Sequence, residues 1–106
     1  MNRVQLIGNV GADVNIRMSN SGNKIAVFSL ATSFKYIDKN GVKCETVQWH
    51  CVKCYGWLAD FAEERIKKGD KLFVDGSIKS ERILQENGQT NEFYFVKCET
   101  ILIHQK

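Results

Sequence analysis

An alternation of apolar and polar side chains runs along most of this chain, and it is interrupted once. Successive side chains of a β-strand point to opposite faces, so a period of two predicts strands that are buried on one face only. Between residues 57 and 68 the apolar residues recur at helical spacing instead, with acidic residues early and two lysines late. The alternation therefore predicts a mainly β structure with one helix.

Turn-forming residues divide the alternating segments into five predicted strands. Residues suited to tight turns cluster at 19–23, 38–41 and 86–89. The predicted strands are 4–10, 25–36, 43–55, 71–83 and 92–103, with the helix at 57–68 between the third and the fourth. This order (β-β-β-α-β-β) is that of the OB-fold, a five-stranded Greek-key barrel that binds oligonucleotides or oligosaccharides. An open sheet covered by one helix is the structural alternative.

Length and composition narrow the class of protein. The 106 residues suffice for one hydrophobic core, so a single domain over 1–106 is expected. A charged fraction of 25% and a hydrophobic fraction of 43% are ordinary for globular proteins, and a net charge of +3 permits a polyanionic partner without requiring one. The N-terminus shows no apolar stretch long enough for a signal peptide or a membrane span, so a cytoplasmic address with reduced cysteines is expected.

The third predicted strand carries the clearest candidate for a binding surface. Its two faces are Trp49, Cys51, Lys53 and Tyr55 on one side, and Gln48, His50, Val52 and Cys54 on the other. Single-stranded nucleic acid offers flat bases, on which aromatic rings stack with about 1–3 kcal/mol per base, and an anionic backbone that attracts cations. Aromatic residues in strands are more often packing residues, so both interpretations stay open for this strand alone.

Neighbouring segments add rings and cations to this candidate surface. Tyr36 lies beside the predicted hairpin at 38–41, and Phe73 and Lys79 share a parity on the fourth strand. Each basic residue, taken singly, is more often a solvated surface residue than a ligand contact. The candidates for contact with nucleic acid that lie outside the third strand are Arg3, Arg17, Tyr36, Lys68, Phe73 and Lys79.

Catalysis and metal binding are not expected. Cys51 and Cys54 have the spacing of half a zinc site, but they point to opposite faces of a regular strand, and a lone pair of this kind is a weak motif. The better interpretation is that both cysteines are free thiols that pack as small, buried hydrophobic side chains. The sequence contains no nucleophile elbow, no phosphate-binding glycine loop and no obvious pair of carboxylates, so neither an enzyme nor a cofactor is predicted.

Taken in order, several segments make the chain similar to the bacterial single-stranded DNA-binding protein family. They are NRVQLIGNVG at 2–11 with Asp13, FSLATS at 28–33, WH at 49–50, YGWLA at 55–59, KGD at 68–70 and VDG at 74–76. The resemblance covers nearly the whole chain. It implies an OB-fold that assembles as a homotetramer and binds single-stranded DNA with little sequence specificity, in DNA replication, recombination or repair at the bacterial nucleoid.

The resemblance also implies roles for individual residues. The family's stacking positions match Tyr36, Trp49 and Tyr55 of this chain. Its basic contact positions match Arg3, Arg17, Lys68, Lys79 and Arg82. His50 matches a position that is linked to subunit assembly.

Three departures from the family pattern bear on function. Ile83 stands where an aromatic residue is frequent, and Cys51 and Glu81 stand where basic residues are common, so weaker and more salt-sensitive binding is expected. The family usually continues into an acidic-tipped tail that recruits enzymes, whereas this chain ends at 104–106. Either the tail is absent by nature or the chain is a trimmed core, and recruitment through a tail is not expected.

Two rival interpretations remain at the level of sequence. One is an OB-fold dimer that resembles the primosomal replication protein and bridges DNA and protein partners. The other is an OB-fold adaptor that binds protein and has lost its affinity for nucleic acid, which Cys51, Glu81 and Ile83 would favour.

Overall fold

The computed structural model describes residues 1–104, and within them it contains six strands and one helix. The end of the chain at 105–106, to which the expectation of a missing tail refers, lies outside the described residues. The strands are β1 (Val4–Val10), β2 (Asn15–Met18), β3 (Lys24–Ile37), β4 (Lys43–Tyr55), β5 (Lys71–Leu84) and β6 (Thr90–Ile103), and the helix α1 (Trp57–Arg65) lies between β4 and β5.

Five of these strands close into a barrel, which confirms the predicted OB-fold. Neighbouring strands pair in the order β1, β5, β6, β4 and β3, and β1 then pairs with β3 to complete the ring. That last pairing is short, because it consists of Asn9 opposite Ala31 and Val10 opposite Leu30. The pairing of β4 with β6 is parallel, whereas the other pairings are antiparallel.

The strand β2 was not predicted, and it does not belong to the ring. It pairs with the start of β3, from Asn15 opposite Val27 to Met18 opposite Lys24. A strand of four residues with one partly buried side chain, Ile16, carries almost no alternation, so a pattern of period two cannot reveal it. The barrel therefore has the five predicted strands, with β2 as an added edge.

The inward-facing side chains of the alternating strands fill the barrel, as the alternation predicts. Val52 and Cys54 of β4 are fully buried, and so are Leu72 and Val74 of β5. Cys98 of β6 lies against Cys54 in this core, and their hydrogen bond together with burial raises the pKa of the Cys54 thiol. Cys54 is therefore a protonated core residue that packs as a small hydrophobic side chain, as predicted. For Cys51 the prediction of a small buried hydrophobe is wrong, because Cys51 is exposed on the outward side of β4.

Two pairs of strands continue past the barrel as arms. β3 and β4 stay paired as far as Ile37 opposite Lys43, and β5 and β6 as far as Leu84 opposite Thr90. Phe34 and Ile78 have the parity of core residues, yet they are 67% and 49% exposed, because no facing wall covers an arm. The arms give the described part of the molecule its longest extent of 54 Å.

The helix is three residues shorter than predicted. It ends at Arg65, and Ile66 is already in extended conformation. Lys67 donates its backbone N–H to the carboxylate of Asp70 at 2.9 Å, and Gly69 takes a positive φ of 91°, so a turn replaces the last predicted helical residues.

None of the helices in residues 1–104 has the length and apolar character needed to cross a membrane.

The pairing of β5 with β6 includes a close backbone approach at Gly76. The register between β5 and β6 shifts between Asp75 and Gly76, and a Cβ atom on Gly76 would overlap the carbonyl group of Lys97. Glycine is therefore required here by space and not by its φ angle.

We predict that Gly76→Ala lowers the free energy of unfolding by about 1–3 kcal/mol, because the added methyl group must push two paired strands apart. Urea unfolding followed by circular dichroism measures this. Ser77→Ala, at the next residue on the opposite face, is the matched control and should change stability much less. Equal losses for the two variants would show that the close approach is not a constraint on the barrel.

Candidate nucleic-acid interface

The outward side chains of β4, β6 and β5 form one continuous surface, called here the β4–β6–β5 face. Lys53 of β4 is in register with Lys97 of β6, and Phe95 of β6 is in register with Lys79 of β5. Residues opposite each other in a ladder point to the same side of the sheet. The face consists of Trp49, Cys51, Lys53, Tyr55, Lys79, Glu81, Phe93, Phe95 and Lys97.

Trp49 presents an open aromatic ring on this face. Its side chain is 57% exposed, and it lies against Gly11, where a Cβ atom would overlap the ring. Across the strand pair it faces the small side chain of Ala31. The absence of bulk at both neighbours leaves one surface of the ring free to stack on a planar group.

Tyr55 lies in a row with a free cation. Register places Arg17 opposite Ile25, and Ile25 opposite Tyr55, so all three side chains point outward. Within the described residues Arg17 has no acidic group at ion-pair distance. The ammonium group of Lys97 lies 5.9 Å from the centre of the Tyr55 ring on the other side. The structure therefore brings Arg17 and Tyr55, two separately predicted contact residues, onto the same row of outward side chains.

The Tyr55 phenol remains neutral at physiological pH. Burial is the main cause that raises its pKa, and the Glu81 carboxylate raises the pKa further, against the opposing effect of the Lys53 ammonium group. A neutral ring carries no negative charge that would repel a phosphate backbone. Stacking on Tyr55 therefore costs no electrostatic repulsion.

Lys53 is on the predicted face but is not a free cation. Its Nζ donates to the Glu81 carboxylate at 2.9 Å and lies 4.3 Å from the centre of the Phe95 ring. Its side chain is only 15% exposed. The ammonium group is therefore held between a carboxylate and an aromatic ring.

Arg3 is also paired with a carboxylate. Its Nη2 and Nε donate to the two oxygens of Asp75 at 2.6 and 3.2 Å. The arginine remains 61% exposed, so the pair lies at the surface beside β5. Arg3 and Lys53 are thus present where predicted, but each has an acidic partner within the chain.

Four of the predicted residues lie apart from the β4–β6–β5 face. Phe73 shares the outward parity of Lys79 but is six residues further along β5, which is about 20 Å. Lys68 lies in the turn after α1, before the start of β5. Tyr36 and Arg82 have the opposite parity on the two arms, where Tyr36 packs against Phe34 with ring centres 6.1 Å apart.

Three residues of the face were missed in the sequence. Phe93, Phe95 and Lys97 alternate along β6, and Phe93 is 48% exposed. The parity rule that was applied to the third predicted strand would have found them on the fifth. The sequence did not show that β6 lies next to β4, because these strands are not consecutive in the chain and become neighbours only when the barrel forms.

A second, apolar surface runs across β1, β5 and β6. Ile7 is opposite Phe73, and Phe73 is opposite Leu102, so these three outward side chains form an apolar row across β1, β5 and β6. Ile7 and Leu102 are 61% and 60% exposed. This row is well separated from the β4–β6–β5 face.

A cleft of about 300 Å³ opens where the barrel meets its arms. His50 lies in its wall, and the imidazole Nε2 is 2.8 Å from the hydroxyl of Thr32. Residues 4–8 of β1 pair with β5 on one side, and within residues 1–104 no strand pairs with their other side. The other residues in the wall of the cleft are Val4, Leu6, Trp49, Cys51, Ile78, Tyr94, Phe95 and Val96.

Comparison with known sequences points to one family. The model described as the single-strand binding protein family matches residues 1–103. Among curated proteins, a single-stranded DNA-binding protein of Xylella fastidiosa strain Temecula1 is 37% identical over 89 residues, which are 84% of this chain and 54% of that protein. Single-stranded DNA-binding protein 1 of strain 9a5c is 38% identical over 89 residues, which are 83% of this chain and 65% of that protein. The chain thus spans between about half and two thirds of these relatives.

Solved structures share the fold. The Plasmodium falciparum SSB in its complex with single-stranded DNA superposes with a TM-score of 0.89 at 26% identity, and the match covers 99% of this chain and 96% of that one. A deletion mutant of the single-stranded DNA binding protein from Thermus aquaticus gives a TM-score of 0.85 at 25% identity, over 99% of this chain and 51% of that one.

Proposed function

The chain belongs to the single-strand binding protein family, and from that premise we propose that it binds single-stranded DNA with little sequence specificity. The observation that carries the proposal is the exposed ring of Trp49, which shares one outward face with Tyr55, Phe93 and Lys97. Rings and cations on one side of a sheet match the two chemical components of a single strand.

The proposed mechanism combines stacking with backbone electrostatics. Bases stack on Trp49, Tyr55 and Phe93, while Arg17, Lys79 and Lys97 attract the phosphates. Every base has a planar π surface, so stacking does not select a sequence. Phosphate contacts release counterions, so binding weakens as salt rises.

This role is non-catalytic. Exposed single strands arise during DNA replication, recombination and repair, and we place the action of the protein there, at the bacterial nucleoid in the cytoplasm. The whole of 1–106 acts as one binding domain in this proposal.

We predict that Trp49→Ala weakens binding of a dye-labelled oligo-dT by about 5- to 100-fold, because one stacking platform is lost. Trp57→Ala is the matched control and should change affinity less than twofold, since Trp57 lies at the start of α1 and outside the face. Fluorescence anisotropy titrations at several salt concentrations measure both. Equal losses for the two variants would remove Trp49 from the interface. A protein that binds no oligonucleotide at low salt would be an OB-fold adaptor instead.

We also propose that the protein is a homo-oligomer, a tetramer or alternatively a dimer. Two features support this. The unpaired side of β1 can accept a strand from a second copy beside His50, and the apolar row of Ile7, Phe73 and Leu102 offers a surface that a further copy would cover.

Leu102→Glu should lower the solution mass towards that of the monomer or a smaller assembly, because a charge in the apolar row cannot be buried without a partner. Light scattering coupled to size-exclusion chromatography measures the mass. Val42→Glu, at an exposed apolar position near the tip of the β3–β4 arm, is the matched control and should leave the mass unchanged. A monomeric wild-type protein, or a mass that Leu102→Glu does not alter, would contradict the proposed use of this row.

A further inference from the structure

A carboxylate lies within the candidate DNA-binding surface. Among the outward side chains of 49–55, 77–83 and 91–97, Glu81 is the acidic one. It is opposite the exposed Phe93 in the β5–β6 ladder, and its side chain is 45% exposed. The negative charge of Glu81 therefore lies on the side from which the phosphate backbone of bound DNA would approach.

Glu81 holds the cation that strand β4 places at the centre of the face. The distance from its Oε1 to the Nζ of Lys53 is 2.9 Å. On the other side the Phe95 ring, itself 8% exposed, fixes the same ammonium group at 4.3 Å. The lysine is thus restrained in one position by two contacts, with little of its charge turned towards solvent.

A carboxylate and a phosphate compete for an ammonium group by the same chemistry. Both present anionic oxygens that accept charge-assisted hydrogen bonds. While Glu81 occupies Lys53, this lysine cannot take a phosphate, and the free side of the carboxylate repels one. The occupied lysine and the repelling carboxylate therefore both weaken DNA binding at this position of the face.

We propose that Glu81 is an affinity-limiting residue, an internal substitute for phosphate that withholds Lys53 from single-stranded DNA. The proposal rests on the proposed function. It implies that the wild-type protein binds with one phosphate contact fewer than the cations of its face allow, and that DNA must displace the carboxylate to gain that contact. One contact fewer makes the salt dependence shallower, which is the opposite of the greater salt sensitivity expected from the sequence.

The test is Glu81→Gln, which removes the charge and keeps the size of the side chain and one of its two acceptor oxygens. Affinity for oligo-dT should rise roughly tenfold near 0.1 M salt, and the slope of log K against log salt should steepen by about one, because one more phosphate contact forms. Glu64→Gln, on the exposed side of α1, makes the same change in net charge and is the matched control. Its affinity should stay within about twofold of the wild type, because α1 lies outside the face.

A double-mutant comparison shows whether Glu81 acts through Lys53. In a Lys53→Met background, Glu81→Gln should leave the salt slope unchanged, since no ammonium group is there to be released. If the wild type binds and Glu81→Gln behaves like Glu64→Gln, the inference is overturned while the proposed function stands. If neither the wild type nor Glu81→Gln binds at low salt, the proposed function fails and the inference fails with it.

Discussion

The contact between β1 and β3, only two residue pairs long, is the constraint on which the rest of the structure depends. It closes the ring, and closure gives every strand an inside and an outside. Val52 and Cys54 then fill the core, while Trp49 and Tyr55 of the same strand are turned outward. The alternation that stabilises the barrel by burial is thus the same property that exposes the aromatic face.

In the proposed interface, fewer cations are free to contact phosphates than the sequence predicts. Arg3 and Lys53, two of the predicted phosphate contacts, are each held by a carboxylate of the chain. The aromatic ring of Trp49 is exposed and is not held by an acidic partner. Phe93 of β6 adds a second exposed ring, which the third predicted strand could not supply. An aromatic residue on β6 thereby offsets Ile83 on β5, which has no ring to offer.

The sequence predicts what is local and misses what is distant. Alternation within one strand was enough to assign both faces of β4, and the turn residues located both arms. The pairs Lys53–Glu81 and Arg3–Asp75 join residues 28 and 72 positions apart, so no spacing rule could reveal them. The misplaced helix end is a local exception: the Asp70 carboxylate accepts the backbone N–H of Lys67, three residues earlier, in a turn that competes with continued helix. The roles of the individual residues in binding stay predictions.

The most direct measurement is photo-crosslinking of single-stranded oligo-dT to the protein, with the attached residues located by mass spectrometry. If DNA lies along the β4–β6–β5 face, crosslinks will form at Trp49, Tyr55 and Phe93. Crosslinks confined to Phe73, near the start of β5, and to Lys68, in the turn before β5, would contradict this location of the binding site.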